Sequence, residues 1–311
     1  SRNHFKTPAE FIQWAFFLEN SHMEIRRVEA LSERIVQTYA WGDAVWHVWH
    51  PRTRGAEASA ELTHNTNHVD ASTKPLVLLH GGSGSWTHWL RNVEHLSQYR
   101  TVWALDIPGF GDSSLPAGVT DADGLVPYMA EILEHTFLGE AVDVMGFSFG
   151  GMTAGLLAAE YSKLIRQLIL IGAPGLGIFG KDLPMRGMTP DMDQVAQRKV
   201  HRHNLTTMMF KHAETITEDV IDLQQANVAR DRLRRRRIAR TDVLARAQAL
   251  WICPVHGVWA ECDALYLHTL EQVPQVLTQL ASFSVVPDAG HWVMYERPDA
   301  FHVIVDSLLK R

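Results

Sequence analysis

The chain has 311 residues, enough for a large buried core and about two units of roughly 150 residues, and its 46% apolar and 21% charged residues exclude disorder as the main state. With 29 basic against 35 acidic side chains and a formal charge of −6, no general positive field is available for phosphate backbones, so we expect no nucleic-acid partner. The two cysteines, Cys253 and Cys262, exclude a disulfide-stapled scaffold and a multi-cysteine metal centre, and favour a reducing cytoplasm.

The first 22 residues are predicted to form an N-terminal helical extension. Thr7-Pro8-Ala9-Glu10 combines an N-cap, a first-turn proline and an acid three residues after the cap. An apolar stripe on this helix would pack on the protein's own core, in a dimer contact or over a site entrance; it consists of Phe11, Trp14, Phe17 and Leu18. The longest apolar run here, residues 14–18, is far shorter than the roughly 20 residues of a membrane span, and a signal-peptide pattern is lacking. We therefore expect no membrane span and no export.

Strand-like patterns begin after Glu33. Residues 34–39 and 45–49 alternate around Trp41-Gly42-Asp43, which predicts a hairpin of two antiparallel edge strands. Residues 53–74 are polar and lack periodicity, which is typical of a long exposed loop.

From Pro75 onward, short apolar runs alternate with helical stretches. The runs are continuous rather than alternating, as in a parallel sheet covered on both faces; they span residues 75–79, 101–105, 141–145, 167–171, 254–259 and 283–286. Helices are predicted over 125–138, 151–161 and 298–310. This rhythm predicts an α/β fold with a mostly parallel, doubly wound central sheet and helices on both faces. It is interrupted over residues 175–250, so we expect a core of residues 23–174 and 251–311 with an inserted helical cap (lid).

Gly146-Phe147-Ser148-Phe149-Gly150 follows one apolar run and precedes a helix of small residues. This is the pattern G-x-S-x-G between a strand and a helix, in which a sharp, strained turn exposes a serine hydroxyl. The flanking glycines are needed because a side chain there would collide with the neighbouring strand or helix.

Together with two further loops, this pentapeptide resembles the α/β-hydrolase superfamily over most of residues 33–310. His80-Gly81-Gly82-Ser83-Gly84 resembles its His-Gly oxyanion loop, and residues 106–113, Asp-Ile-Pro-Gly-Phe-Gly-Asp-Ser, resemble its D-x-P-G-x-G-x-S loop. The resemblance implies a hydrolase with Ser148 as nucleophile and no cofactor. His201 and His203 lack an acidic or cysteine partner at a metal-ligand spacing, so we expect no metal. Serine at this position argues against the haloalkane dehalogenase and epoxide hydrolase branches, whose alkyl-enzyme chemistry needs a carboxylate nucleophile.

The other two members of the catalytic triad follow in the family's order. Residues 257–263 resemble the Trp-Gly-Glu-x-Asp ending of the penultimate strand, which places the acid at Asp263, with Glu261 as the alternative because Ala260 stands where glycine is usual. His291, in Asp-Ala-Gly-His-Trp after the last strand, is the base.

The resemblance also assigns the oxyanion hole and the substrate wall. In this family the backbone N–H after the nucleophile and one N–H of the His-Gly loop bind the oxyanion, here at Phe149 and Gly82. Ser83, Phe147 and Trp292 are expected to contact the substrate, whereas His80 is expected to brace the oxyanion loop.

The substrate is a small molecule whose class stays open at this stage. Six cap residues could line an apolar pocket or form the cap's own core; they are Met185, Met188, Met192, Met208, Met209 and Phe210. Eight arginines lie between Arg230 and Arg246, where one could face inward and bind a substrate carboxylate, or all could form a solvated face.

Four functions remain. A carboxylic-ester hydrolase acting on an apolar or aromatic substrate ranks first. The Gly-His-Trp triplet at 290–292 and the cap are similar to hydrolases that cleave carbon–carbon bonds in vinylogous diketone ring-fission products of aromatic catabolism, although Gly146-Phe147-Ser148-Phe149 differs from the Gly-Asn-Ser-Met common there. Lactone, thioester or amide cleavage and a non-catalytic ligand receptor follow. A homodimer is possible.

Overall fold

The computed structural model describes residues 23–51, 73–178, 180, 182–233 and 235–309. The helix predicted within residues 1–22 and most of the loop predicted at 53–74 lie outside these residues. One sheet of eight strands forms the centre; its strands are β1 (Glu33–Tyr39), β2 (Gly42–Trp49), β3 (Leu76–Leu79), β4 (Val102–Asp106), β5 (Val142–Phe147), β6 (Ile165–Ile171), β7 (Val255–Ala260) and β8 (Leu280–Val286).

The strand order is β1-β2-β4-β3-β5-β6-β7-β8, and only β2 is antiparallel to its two neighbours. The predicted mostly parallel, doubly wound sheet is therefore confirmed. Two details of the hairpin were wrong. β2 is an interior strand, since it pairs with β4 as well as β1, and it is buried on both faces from Ala44 to Trp49. The turn comprises Ala40 and Trp41, because Gly42 already pairs with Tyr39.

Helices cover both faces of the sheet. They are α1 (Met23–Glu29), α2 (Val93–Leu96), α3 (Val126–Phe137), α4 (Phe149–Glu160), α5 (Gln194–Asn204), α6 (Glu218–Ala229), α7 (Val243–Ala247), α8 (Val273–Val276), α9 (Val293–Glu296) and α10 (Pro298–Leu309). Alternate residues of β3 belong to two separate apolar clusters, Val77 and Leu79 to one, Leu76 and Leu78 to the other. Helices α3, α4, α7 and α8 pack in the first cluster, and α1, α2, α9 and α10 in the second.

Between β6 and β7, the described residues form helices and loops without a strand. We call this segment, residues 175–250, the helical insertion. It contains α5, a π-helical turn at Leu205–Met209, α6 and α7. Asp193 caps α5 by accepting from Ala196 N–H, and Thr217 caps α6 by accepting from Val220 N–H. The division into core and cap at these boundaries remains a prediction. None of the helices in the described part of the chain is long and apolar enough to cross a membrane.

Candidate active site

Ser148 sits in a strained turn between β5 and α4. Its φ of 51° and ψ of −118° lie outside the regions that non-glycine residues normally adopt, so the turn must be held by its surroundings. The flanking glycines provide the space. A Cβ on Gly146 would lie 2.6 Å from Gly150 O, and one on Gly150 would lie 2.4 Å from His80 O. Helix α4 therefore begins at Phe149, two residues earlier than predicted, directly behind the serine.

Three predicted residues from distant parts of the chain form one hydrogen-bonded chain. His291 Nε2 is 2.9 Å from Ser148 Oγ, and His291 Nδ1 is 2.7 Å from Asp263 Oδ2. His291 and Asp263 are buried, 2% and 1% exposed, so water does not compete for their hydrogen bond. Asp263 Oδ1 accepts from Leu265 N–H at 2.9 Å, which fixes the carboxylate plane. The side chains thus have the spacing that proton transfer from serine to histidine requires.

Glu261, the alternative acid, points elsewhere. It is exposed, and its Oε2 accepts from Asp288 N–H at 2.9 Å. Asp263 is instead brought to His291 over the end of β6, where Gly172 has a φ of 52°. A Cβ at Gly172 would lie 3.1 Å from both Asp263 Oδ2 and His291 Cε1. This glycine was missed from the sequence, because a single glycine after a strand carries no distinctive signal.

Two buried histidines shape the loop after β3. His80 accepts from Ile107 N–H through Nε2 at 3.0 Å, so its Nδ1 carries the proton that it donates to Gly81 O at 2.8 Å. His88, which was not identified from the sequence, accepts from Gly81 N–H through Nδ1 at 3.1 Å. The two imidazoles therefore bond the backbone of Gly81 on both sides. Gly82, next along the loop, borders the space in front of Ser148.

The loop after β4 is held by Asp106. This fully buried carboxylate accepts from Trp86 N–H at 2.9 Å and from Asp112 N–H at 2.9 Å. Burial is the main effect on it and raises its pKa to about 6. A side chain on Gly111 would occupy the place of the carboxylate, since its Cβ would lie 2.2 Å from Asp106 Oδ2. The motif residues 106–113 thus have a structural role in holding the loop after β4.

The loop that carries His291 is fastened to the helical insertion. Glu296, 5% exposed, accepts from Gly290 N–H at 2.6 Å, from His212 N–H at 2.7 Å and from Lys211 N–H at 3.2 Å. A Cβ on Gly290 would lie 2.6 Å from Lys211 N, so the two segments are in direct backbone contact. Glu296 therefore links the position of the histidine to the position of the insertion. A buried acid five residues after the histidine was not recognised from the sequence.

A cavity of about 510 Å³ opens in front of Ser148 and His291. Its walls include Gly82 and Phe149, which the sequence assigns to the oxyanion hole, and Ser83 and Phe147, which it assigns to substrate contact. Four of the six apolar cap candidates also line it, namely Met185, Met188, Met208 and Met209.

The structure corrects one predicted contact to the substrate, that of Trp292, and places two of the cap candidates away from the cavity lining. Trp292 is fully buried and does not line the cavity: its Nε1–H donates to His88 O at 3.0 Å, and its ring packs on Tyr295 and Phe210. Phe210 is therefore part of this aromatic core, and Met192 also lies away from the cavity wall. Trp292 turns inward because its amide donates to Met209 O at 2.8 Å, which fixes the backbone next to His291.

The arginine-rich stretch does not act as one surface. Arg230 pairs with Asp112 at 3.1 Å, Arg246 pairs with Asp242, and Arg232 donates to backbone carbonyls of the loop after β4. Arg236 and Arg240 line the cavity instead. In the described part of the chain, no group of three or more His, Cys, Asp or Glu side chains is arranged to hold a metal ion.

Because several histidines are buried, we expect the free energy of unfolding to decrease in acid. Burial is the main effect on His47, His80 and His88; it lowers the pKa of His47 to about 4 and of His80 to about 3, and it lowers the pKa of His88 well below its usual value. In the unfolded chain these groups take up protons near pH 6.5, but in the folded protein only at much lower pH. Their contribution is therefore complete above about pH 6.5 and is lost as the pH falls toward 4. Asp106, with its raised pKa, opposes this below about pH 6.

We expect urea unfolding at pH 5 to give a lower free energy of unfolding than at pH 7, by about 2 kcal/mol for each fully buried histidine. His47→Phe tests the part of this decrease in the free energy of unfolding that comes from His47. Neither ring nitrogen of His47 has a hydrogen-bond partner among the described residues, and its ring lies 5.0 Å from that of Trp86, so phenylalanine removes the titration without removing a bond. The difference between pH 7 and pH 5 should shrink by about 2 kcal/mol in this variant. An unchanged difference would contradict the assignment.

Comparison with known proteins identifies a family match over most of the chain. The family described as "Alpha/beta hydrolase family" matches residues 76–302. A "dihydrolipoyllysine-residue acetyltransferase component of acetoin cleaving system" of Pseudomonas putida is 31% identical over 250 residues, covering 76% of this chain and 64% of that protein. A "soluble epoxide hydrolase" of Corynebacterium sp. (strain C12) is 26% identical over 287 residues, covering 81% of this chain and 98% of that protein.

A "2-hydroxy-6-oxo-2,4-heptadienoate hydrolase" of Pseudomonas putida (strain F1) is 34% identical over 113 residues, covering 35% of this chain and 41% of that protein. The chain thus spans less than two thirds of the acetyltransferase component and of this hydrolase.

Solved structures agree on the fold. A bacterial "membrane phospholipase A" superposes with a TM-score of 0.72 at 20% identity, covering 97% of this chain and 94% of that one. A "putative aryl esterase" of Burkholderia cenocepacia has a TM-score of 0.66 at 19% identity, covering 89% and 98%. At these identities the likeness concerns the arrangement of strands and helices.

Proposed function

Because the chain belongs to the alpha/beta hydrolase family, we propose that it is a serine hydrolase that cleaves a carboxylic ester through an acyl-enzyme. The observation that carries the proposal is the continuous hydrogen-bonded chain from Ser148 through His291 to Asp263. It joins a strained, cavity-facing hydroxyl to an imidazole whose other nitrogen faces a buried carboxylate. These are the nucleophile, base and orienting group that acyl transfer requires.

In the first half of the reaction, Ser148 Oγ attacks the ester carbonyl carbon while His291 Nε2 takes its proton. The imidazolium that forms is stabilised by Asp263, which keeps the proton of the ring on Nδ1. When the tetrahedral intermediate collapses, His291 returns the proton to the departing alkoxide and an acyl-serine remains. A water molecule then gives a proton to His291 and attacks the acyl carbon, which releases the carboxylic acid and restores Ser148.

The charge that develops on the carbonyl oxygen needs donors already in place. Phe149 is the first residue of α4, where backbone N–H groups have no acceptor within the helix and the helix dipole favours negative charge. Gly82 lies on the facing loop, which His80 and His88 hold from behind through Gly81. We assign the oxyanion hole to the N–H groups of Gly82 and Phe149. One such donor contributes about 10²- to 10³-fold to the rate.

The helical insertion provides much of the substrate wall, so we propose that it acts as the cap of this site. Its methionines and Val228 give a flexible apolar lining, which suits the small to medium apolar or aromatic part of an ester.

The two cysteines, Cys253 and Cys262, are free thiols, which is compatible with the expected reducing cytoplasm.

A second candidate is cleavage of a carbon–carbon bond next to a ketone. It is favoured by the matched stretch of a 2-hydroxy-6-oxo-2,4-heptadienoate hydrolase, whose name describes such a substrate. The same hydroxyl and imidazole could serve it, since both reactions begin at a carbonyl carbon. Serine at the turn does not suit the epoxide-opening reaction in the name of another relative, because that chemistry needs a carboxylate nucleophile.

Fluorophosphonate labelling and a substrate comparison test the proposal. We expect stoichiometric labelling of the protein that disappears in Ser148→Ala, and turnover of p-nitrophenyl esters of short acyl chains. A preference by orders of magnitude in kcat/KM for a dienol ring-fission product over these esters would support the carbon–carbon alternative. A folded protein that neither reacts with the fluorophosphonate nor turns over either substrate would favour a non-catalytic receptor.

A further inference from the structure

The charged side chains around the cavity all have the same sign. Its lining contains three arginines, Arg186, Arg236 and Arg240, and among the described residues no aspartate or glutamate. This contrasts with the formal charge of −6 of the whole chain. Apart from these arginines, the walls are mainly apolar. An anionic group entering the cavity would therefore meet guanidinium groups in a low-dielectric setting, where they bind more strongly than in water.

Arg236 is the arginine nearest the predicted oxyanion hole. A Cβ on Gly82 would lie 2.9 Å from Arg236 Nε, so the guanidinium packs directly against the oxyanion loop. It also lies over the rings of Phe149 and Phe110, with Cζ 5.7 and 5.3 Å from the ring centres. These contacts hold the planar group beside the place where the scissile carbonyl would sit.

One edge of this guanidinium is occupied and the rest is not. Arg236 Nη2 donates to Asp231, and Ser83 Oγ, 3.3 Å from Nη2, donates to the same carboxylate oxygen at 2.6 Å. No described residue accepts a hydrogen bond from Arg236 Nη1, and Nε is buried without a partner. Asp231 is only 9% exposed and does not line the cavity. It therefore orients the arginine without blocking its access to a ligand.

We propose that Arg236 determines specificity by binding a carboxylate carried by the substrate close to its scissile carbonyl. The substrate class is then an anionic ester, such as a monoester of a short dicarboxylic acid. Arg186 and Arg240, at the exposed end of the lining, attract the same anion. Arg240 is 80% exposed and 3.8 Å from Asp182, so its contribution is screened by water. This inference rests on the ester hydrolase proposed above and adds the charge of its substrate.

The test compares two phenyl esters of equal chain length, monophenyl glutarate and phenyl pentanoate, by release of phenol. The wild type is expected to have the higher kcat/KM for the glutarate ester, and the preference should decrease as sodium chloride is added. Arg236→Gln should reduce the ratio of the two kcat/KM values by about 10- to 100-fold, as expected for loss of a hydrogen bond to a charged group. Arg235→Gln is the matched control: the neighbouring arginine is exposed and does not line the cavity, so the ratio should stay unchanged.

Several results would overturn the inference. A wild type without preference for the anion, an unchanged ratio in Arg236→Gln, or an equal reduction in Arg235→Gln would each do so. If Arg236→Gln fails to fold, the wild type's preference between the two esters and its salt dependence still decide whether the site favours an anionic substrate. Arg236→Lys then shows whether a positive charge without the planar guanidinium is enough for this preference.

The failure of the two proposals can be told apart. If the wild type turns over neither ester while the fluorophosphonate still labels Ser148, only the proposed ester hydrolysis is contradicted. The charge preference can then be measured by protection of Ser148 from fluorophosphonate, in which glutaramate should protect better than the neutral glutaramide. Equal protection by the two compounds would overturn the anion preference even then.

Discussion

Asp263→Asn is expected to reduce kcat/KM for esters by about 10⁴-fold with little change in folding. The reason is the direction of two hydrogen bonds. Leu265 N–H donates to Oδ1 of Asp263, so the asparagine carbonyl would take that position and its NH₂ group would face His291 Nδ1. Nδ1 would then have to accept, and the ring proton would move to Nε2. In this tautomer, His291 can no longer take the proton of Ser148.

The rival acid supplies the matched control for this variant. Glu261→Gln should leave kcat/KM within about twofold of the wild type, because Glu261 is exposed and contacts the backbone of Asp288 rather than His291. His291→Ala should be at least as damaging as Asp263→Asn, since it removes the base itself. Steady-state ester hydrolysis and the rate of fluorophosphonate labelling give two independent readings. Full activity in Asp263→Asn together with loss in Glu261→Gln would show that the acid is misassigned.

Gly150→Ala should disable the site by a different route, through the backbone. The added methyl would lie 2.4 Å from His80 O and 2.5 Å from Leu79 O, and neither carbonyl can move without displacing β3 and the oxyanion loop. We expect destabilisation of about 3 kcal/mol and loss of at least about 10²-fold in labelling rate, because the turn that holds Ser148 is opened. Thermal unfolding followed by circular dichroism measures the first effect and fluorophosphonate labelling the second.

The control for this substitution is Gly187→Ala. A Cβ at Gly187 would meet no atom within 4 Å, so the same change of residue tests glycine-to-alanine replacement without a clash. The control should unfold within a few degrees of the wild type and label at its rate. If Gly150→Ala behaved as the control does, the close approach of α4 to β3 would not be needed for the strained turn.

Much of the fold was accessible from local patterns. Continuous apolar runs identify buried parallel strands because such strands are covered on both faces, and this predicted six of the eight strands to within a few residues. The hairpin prediction was less accurate, since an edge strand and an interior strand differ in what lies beside them and not in their own residues. The continuous burial of Ala44 to Trp49 follows from this interior position, where apolar clusters cover both faces of the sheet.

In the functional site, too, local sequence patterns predicted some features and missed others. Gly146 and Ser148 could be assigned from the sequence because a sharp turn demands particular residues at adjacent positions. The loop at 80–84 was assigned through its resemblance to the His-Gly loop of the α/β-hydrolase superfamily. Trp292, in contrast, was expected to contact the substrate, but its backbone is bonded to the helical insertion, which turns its ring into the core. The residues next to Trp292 in the sequence do not predict that contact.

The amino-acid sequence by itself determined the class of fold and the strained serine, because both depend on short-range sterics and on periodicity along the chain. The order of serine, acid and histidine followed from the resemblance to the α/β-hydrolase superfamily. Only the tertiary structure decided that Asp263 rather than Glu261 faces His291, that His88 and Glu296 hold the two loops, and that Arg236 packs against Gly82. These choices depend on contacts between segments far apart in the chain, and the residue types at both ends allow many pairings until the sheet brings particular ones within hydrogen-bonding distance.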